Sequence, residues 1–116
     1  MTNKYFHNPR CSKSRQGLEI IESQGLDFEV VEYLKTGISQ EQFLEIIKKS
    51  GKEPLDGLIR VKEAIFKELE LKGKSLDHSQ WAKVVSKNPK LLERPIFLSK
   101  KNAIIGRPPE NFLKLS

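Results

Sequence analysis

Cys11 is the only cysteine in the chain. It follows a short aromatic segment, Lys4 to His7, and the break at Asn8 and Pro9, and it opens a stretch that reads as helix to about Gln24. A thiol so placed meets the unpaired N–H groups of a helix start and the positive end of the helix dipole. Both favour the thiolate, which is the nucleophilic form. The backbone donors from Ser12 to Ser14 are equally suited to hold an oxyanion. Arg60, Arg94 and Arg107 stand away from this helix, and the last two directly precede prolines, which push the preceding residue out of helical geometry onto loops or strand ends. A guanidinium is a planar fork that pairs bidentately with tetrahedral oxyanions. A thiolate beside such forks is equipped to attack the central atom of an oxyanion while cations neutralise its oxygens. One cysteine closes no internal disulfide, so any disulfide chemistry must take its second sulfur from another molecule.

Supporting residues surround this set. His7, Lys13 and Ser14 are candidates to stabilise a thiolate through a nearby cation or hydroxyl donor. Each also has a plainer reading, as a satisfied structural histidine, a solvated charge and a helix-start cap. Arg10 and Arg15 flank the cysteine and are placed to steer an anion towards it. Pro95, just ahead of the apolar run Ile96 to Leu98, is either an edge-strand start or a cis peptide in a tight turn.

The elements that must position these residues alternate in type. Tyr5 and Phe6 lie in a first strand, and the helix after Cys11 buries Leu18 and Ile21 and is capped by Gly25. Asp27 to Tyr33 carries apolar residues on both faces through Phe28, Val30 and Val31, the pattern of a buried parallel strand, which completes a βαβ unit. Ser39 with Gln42 forms a capping box ahead of a helix that buries Phe43, Ile46 and Ile47 and stops at Gly51. A further helix over Val61 to Leu69 places Val61, Ile65 and Leu69 on one face. Another begins at Asp77 or Ser79, carries Trp81, Val84 and Val85, and ends at Asn88 and Pro89. The period then changes: Ile96 to Leu98 and Ala103 to Ile105 read as a β-hairpin, and Pro109 opens a short helix holding Phe112 and Leu113. The order βαβ, helical middle, ββα predicts an α/β fold, a small thioredoxin-like mixed sheet flanked by helices, with an all-helical insertion from about residue 37 to 90.

Composition bounds the function classes. The 116 residues predict a single domain that buries about two-thirds of its unfolded surface. No apolar run approaches the roughly 20 residues of a membrane span, and the N-terminus lacks a secretory pattern, so the expectation is a soluble cytoplasmic protein without a membrane partner. The net charge of +6 comes from lysines scattered among acids. Without interleaved aromatics or a groove-reading motif this is a solvated basic surface rather than a nucleic-acid footprint. Clustered Cys or His ligands and a glycine-rich phosphate loop are absent from the sequence, so neither a metal nor a nucleotide cofactor is implied.

Four separate motifs, in order, carry a resemblance. The run His7-Asn8-Pro9-Arg10-Cys11-Ser12-Lys13-Ser14-Arg15, the isolated Arg60, Glu93-Arg94-Pro95-Ile96, and Gly106-Arg107-Pro108-Pro109-Glu110 together resemble the ArsC family over essentially the whole chain. The resemblance implies a thioredoxin-like fold with a helical insertion and arsenate reduction coupled to glutathione and glutaredoxin. It implies Cys11 as nucleophile, Arg60, Arg94 and Arg107 as oxyanion ligands, and a cis Pro95 facing the cysteine. In the mechanism so implied the Cys11 thiolate attacks arsenate, external glutathione attacks the adduct, arsenite leaves, and glutaredoxin resolves the mixed disulfide, with no cofactor bound. Two other readings stay open: an ArsC-like glutathione-linked reductase with a different substrate, and a regulator of RNA polymerase like the related Spx proteins. The complete arginine set, and Ser14 where Spx proteins often carry a second cysteine, weigh against the regulator.

Overall fold

The computed structural model describes residues 2–115. These group into two compact units, one running up to Thr36 and resuming at Arg94, the other spanning Gly37–Glu93. The first unit holds the sheet. Strand β1 (Lys4–Phe6) pairs in parallel with β2 (Glu29–Val31) and antiparallel with β3 (Ile96–Leu98), which pairs antiparallel with β4 (Ala103–Ile105), giving the order β2-β1-β3-β4. This is the expected mixed, thioredoxin-like sheet, and the hairpin strands fall where the sequence period placed them. Helix α1 (Ser12–Ser23) is the crossover between β1 and β2, and the unit closes with a 3-10 helix, Pro109–Leu115.

One apolar cluster joins these pieces. Tyr5 and Phe97 oppose each other across β1 and β3, and with Ile21 of α1 and Phe112 of the 3-10 helix they are buried, with Leu18, Leu26, Phe28 and Ile104 packed around them. The Tyr5 and Phe112 rings meet edge-on, with centroids 5.7 Å apart. Gly17 makes that approach possible, because a Cβ there would lie 2.5 Å from the Tyr5 hydroxyl oxygen and 2.7 Å from Phe112 Cε2.

Strand β2 departs from expectation. It is an edge strand of three residues rather than a buried strand over Asp27 to Tyr33, and Val30 is 42% exposed. Within it Val31 alone is buried, and Tyr33 leaves the strand to begin the short helix α2 (Tyr33–Thr36).

The second unit is helical: α3 (Gln40–Ser50), α4 (Ala64–Glu68) and α5 (His78–Lys87). Capping boxes open α3 at Ser39/Gln42 and α5 at Asp77/Gln80, and Gly51 ends α3 in the left-handed region at φ 70°. Phe43, Ile46 and Ile47 of α3 and Trp81, Ala82 and Val85 of α5 are buried. Helix α4 corrects the sequence pattern. A turn closed by Glu63 N–H on the Arg60 carbonyl delays its start to Ala64, and Phe66 rather than the Val61/Ile65/Leu69 row anchors it by stacking on Trp81. Val61 and Leu69 are left exposed. In the terminal 3-10 helix Phe112 is buried, whereas Leu113 is exposed.

The close approach at Gly17 sets a test. Alanine in a helix normally gains about 1 kcal/mol over glycine, but here the added methyl strikes two buried rings. Gly17→Ala is therefore expected to lower the urea unfolding free energy by about 1–3 kcal/mol. A stabilised variant would contradict this packing.

Candidate active site

Cys11 sits where β1 has run out and α1 has not yet closed its first hydrogen bonds. Its own N–H donates to the Asn8 carbonyl at 3.0 Å, closing a tight turn over Pro9 and Arg10, and its carbonyl accepts from Arg15 N–H at 3.0 Å. Cys11 is thus the N-cap of α1, in extended geometry, and its side chain makes no capping bond. The sulfur is left for chemistry rather than used to close the helix. No acidic residue occupies the first turn to compete for the dipole. The thiol is partly exposed, as access by an external reactant requires.

Arg107 reaches this sulfur, with Nη2 3.7 Å from Cys11 Sγ. Its Nε donates to the Arg94 carbonyl at 2.9 Å, which fixes the plane of the fork. Gly106 N–H donates to the Pro95 carbonyl at 2.8 Å, and Asn111 Nδ2 donates to the carbonyls of Ile105 and Arg107. The two arginine–proline motifs are in this way stitched to each other by backbone. The Arg94–Pro95 and Arg107–Pro108 peptides are both cis. The Arg94 side chain is half-buried, and that of Arg107 exposed.

Behind the cysteine lies a buried polar network. Ser14 is fully buried; its hydroxyl lies 2.7 Å from His7 Nδ1 and accepts from Asn8 N–H at 3.0 Å. Tyr5 donates its hydroxyl to the Ser14 carbonyl at 2.6 Å. Burial holds the Tyr5 phenol above its usual range, so it stays a donor. His7 is held below its usual range, chiefly by burial, with the Glu32 carboxylate opposing and Arg15 adding to the shift. A neutral ring lets Ser14 donate to Nδ1 while accepting from Asn8, so each partner is satisfied. Arg15 Nη1 donates to the Pro9 carbonyl at 2.8 Å and straps the loop from outside.

Arg60 belongs to the helical unit. There an isolated antiparallel bridge, Ile59 with Leu92, and the bond from Arg60 N–H to the Leu91 carbonyl set its backbone. Its Nη1 lies 2.9 Å from Glu63 Oε2 and its Nε 3.8 Å from Glu93 Oε1. Arg10 and Lys13 are exposed beside the cysteine.

Residues 6–115 match the model of the ArsC family. The chain belongs to the ArsC family. It is 44% identical over 108 residues to an arsenate reductase of Neisseria meningitidis serogroup A, covering 93% of this chain and 92% of that protein. It is 41% identical over 112 residues to the uncharacterized protein YfgD of Escherichia coli K12, covering 97% and 94%. Among solved structures, an arsenate reductase from Vibrio cholerae superposes with a TM-score of 0.89 at 36% identity, covering all of this chain and 98% of the other.

The geometry of this ArsC-family chain adds residues that the sequence did not single out. Tyr5 and Asn8 hold the first turn of α1 through Ser14, and Asn111 ties the Arg107 loop to β4. Tyr5 reads from sequence as an ordinary core aromatic; its hydroxyl role depends on α1 crossing over it. Among the described residues no group of three or more acidic, cysteine or histidine side chains is placed to hold a metal. No described helix is long and apolar enough to cross a membrane.

The shift at His7 has a definite sign. Below the ordinary imidazole value of about 6.5 the unfolded chain takes up a proton that folded His7 resists, so stability present above that value is lost as pH falls. Urea midpoints at about pH 7.5 and about pH 5.5 should therefore differ less in His7→Gln than in the parent chain. An equal difference would contradict a neutral buried His7.

Proposed function

We propose that this chain is an arsenate reductase in which Cys11 is the nucleophile and glutathione and glutaredoxin supply the reducing thiols. The Cys11–Arg107 contact carries the reading, and relatives named as arsenate reductases across nearly the full chain support the substrate class.

The steps follow from this placement. Arsenate docks on the first N–H groups of α1 and on the arginine forks, where the dipole and the guanidinium charges favour its oxygens. Cys11 Sγ bonds to arsenic, and one arsenate oxygen leaves as water with protons from solvent. Glutathione thiolate then attacks Cys11 Sγ. The sulfur–arsenic bond breaks with its electron pair passing to arsenic, so two sulfurs are oxidised to a mixed disulfide while pentavalent arsenic becomes trivalent and departs as arsenite. A glutaredoxin thiolate attacks the glutathione sulfur and releases Cys11 as thiolate. Arg107 serves twice, first beside the attacking sulfur and then, with Arg94, at the oxyanion. Arg60 is assigned to the same oxyanion on its place in the family motif. It has five N–H donors, so the ion pairs it makes with Glu63 and Glu93 do not exhaust it. The chain's single cysteine makes the external thiols obligatory in this scheme. His7, Ser14 and Pro95 position the loop rather than touch arsenate.

An NADPH-coupled assay with glutathione, glutathione reductase and glutaredoxin tests this. Arsenate-dependent NADPH oxidation is expected, abolished in Cys11→Ser. Arg94→Ala and Arg107→Ala should each lower kcat/KM by about 10²-fold, the scale of losing one preorganised oxyanion donor. Phosphate should compete with arsenate. Absence of arsenate-dependent oxidation in the unmodified chain would overturn the proposal, and turnover of another glutathione-linked substrate in its place would identify a reductase with a different substrate.

A further inference from the structure

A cleft of about 250 Å³ opens on the β2 side of the Cys11 loop, lined by His7, Asn8, Pro9, Arg10, Glu32, Leu34 and Lys35. It is smaller than pockets that engulf a drug-sized ligand, and suits a short, half-exposed peptide. Its charges have a particular pattern. Arg10 stands on the turn that delivers the cysteine, Lys35 on α2, and a single carboxylate, Glu32, at the end of β2. Leu34, 44% exposed, supplies an apolar floor with Pro9.

We infer that this cleft is the subsite for the resolving thiol, a small peptide thiol with two terminal carboxylates and one ammonium, as in glutathione. The inference rests on the reading of Cys11 as the sulfur that such a thiol attacks. Two cations and one anion in the cleft mirror two carboxylates and one ammonium in the ligand. Lys35 Nζ lies 3.4 Å from Glu32 Oε1 with its side chain 78% exposed, so the existing pair is weak and can re-partner. A thiol carried mid-molecule between charged ends then faces the turn closed from Asn8 to Cys11, whose ends lie within about 7 Å of each other by the geometry of any β-turn. This cleft is separate in composition from the Arg94–Arg107 side of the cysteine, so oxyanion and thiol approach the sulfur from different residues.

The test needs no arsenate. Cys11 is first converted to its mixed disulfide with thionitrobenzoate. Added thiolate attacks Cys11 Sγ, the new disulfide forms, and thionitrobenzoate leaves with the electron pair and is read by its colour. Rates with glutathione and with mercaptoethanol, each corrected for its thiolate fraction, give a ratio. Lys35→Gln and Arg10→Gln should each lower that ratio by about threefold, the scale of one exposed charge contact. Glu32→Gln should also lower it about threefold, although it makes the protein more positive. A general basic field would instead raise the rate of anionic glutathione. Lys101→Gln removes one charge from the β3–β4 loop, at the opposite end of the sheet from His7, and should leave the ratio unchanged. A ratio that rises in Glu32→Gln, or that is unmoved by all three cleft variants, overturns the subsite. Since arsenate is absent, a failed reductase assay and a failed subsite are told apart.

Discussion

One contact constrains the rest of the sheet unit: the Arg107 guanidinium at the Cys11 sulfur, joining residues 96 positions apart. Cys11 is delivered by β1, and Arg107 by β4 through the Gly106–Pro95 backbone bond. Within the sheet the two strands are joined through β3, whose pairing sets Phe6 against Ile96 and Ile96 against Ile105. A one-residue slip in either pairing would turn side chains to the opposite face and carry the arginine away from the sulfur. Register in this small sheet is therefore a functional quantity as well as a structural one.

The apolar cluster defends that register. Tyr5 opposes Phe97 on β3 and meets Phe112 from the chain's end, while its hydroxyl holds the Ser14 carbonyl in the first turn of α1. A single side chain thus couples strand pairing to the angle at which the helix start presents its N–H groups. Ser14 and His7 complete the linkage on the loop side, and because both are buried their hydrogen bonds must be kept made. The polar network and the aromatic core are two sides of one support for the cysteine loop.

Much of this was legible in sequence where the signal is local. The capping box at Ser39/Gln42, the hairpin strands, and the helix start at Cys11 each follow from a few adjacent residues, and each stands in the structure as read. The failures are of another kind. Phe28, Val30 and Val31 have the composition of a buried strand, but whether a strand is central or at the edge depends on what pairs beside it, which no local pattern records. The Val61/Ile65/Leu69 row is helical in period, yet the turn at Arg60–Glu63 and the stacking of Phe66 on Trp81 decide which face is buried. At the site, Cys11 and the arginine–proline pairs were visible by type and spacing. The pairing of Arg60 with Glu63 and Glu93, the hydroxyl role of Tyr5 and the strap from Arg15 to Pro9 are three-dimensional facts.

The central claim is that Cys11 becomes an electrophilic sulfur only after it has bonded to the oxyanion's central atom. Intact-mass analysis of the chain incubated with glutathione, in the absence of glutaredoxin, reads this directly. The account predicts one glutathionyl group on Cys11 when arsenate is present, and none when phosphate replaces it. An equal yield of that adduct with and without arsenate, or no adduct at all, would contradict it.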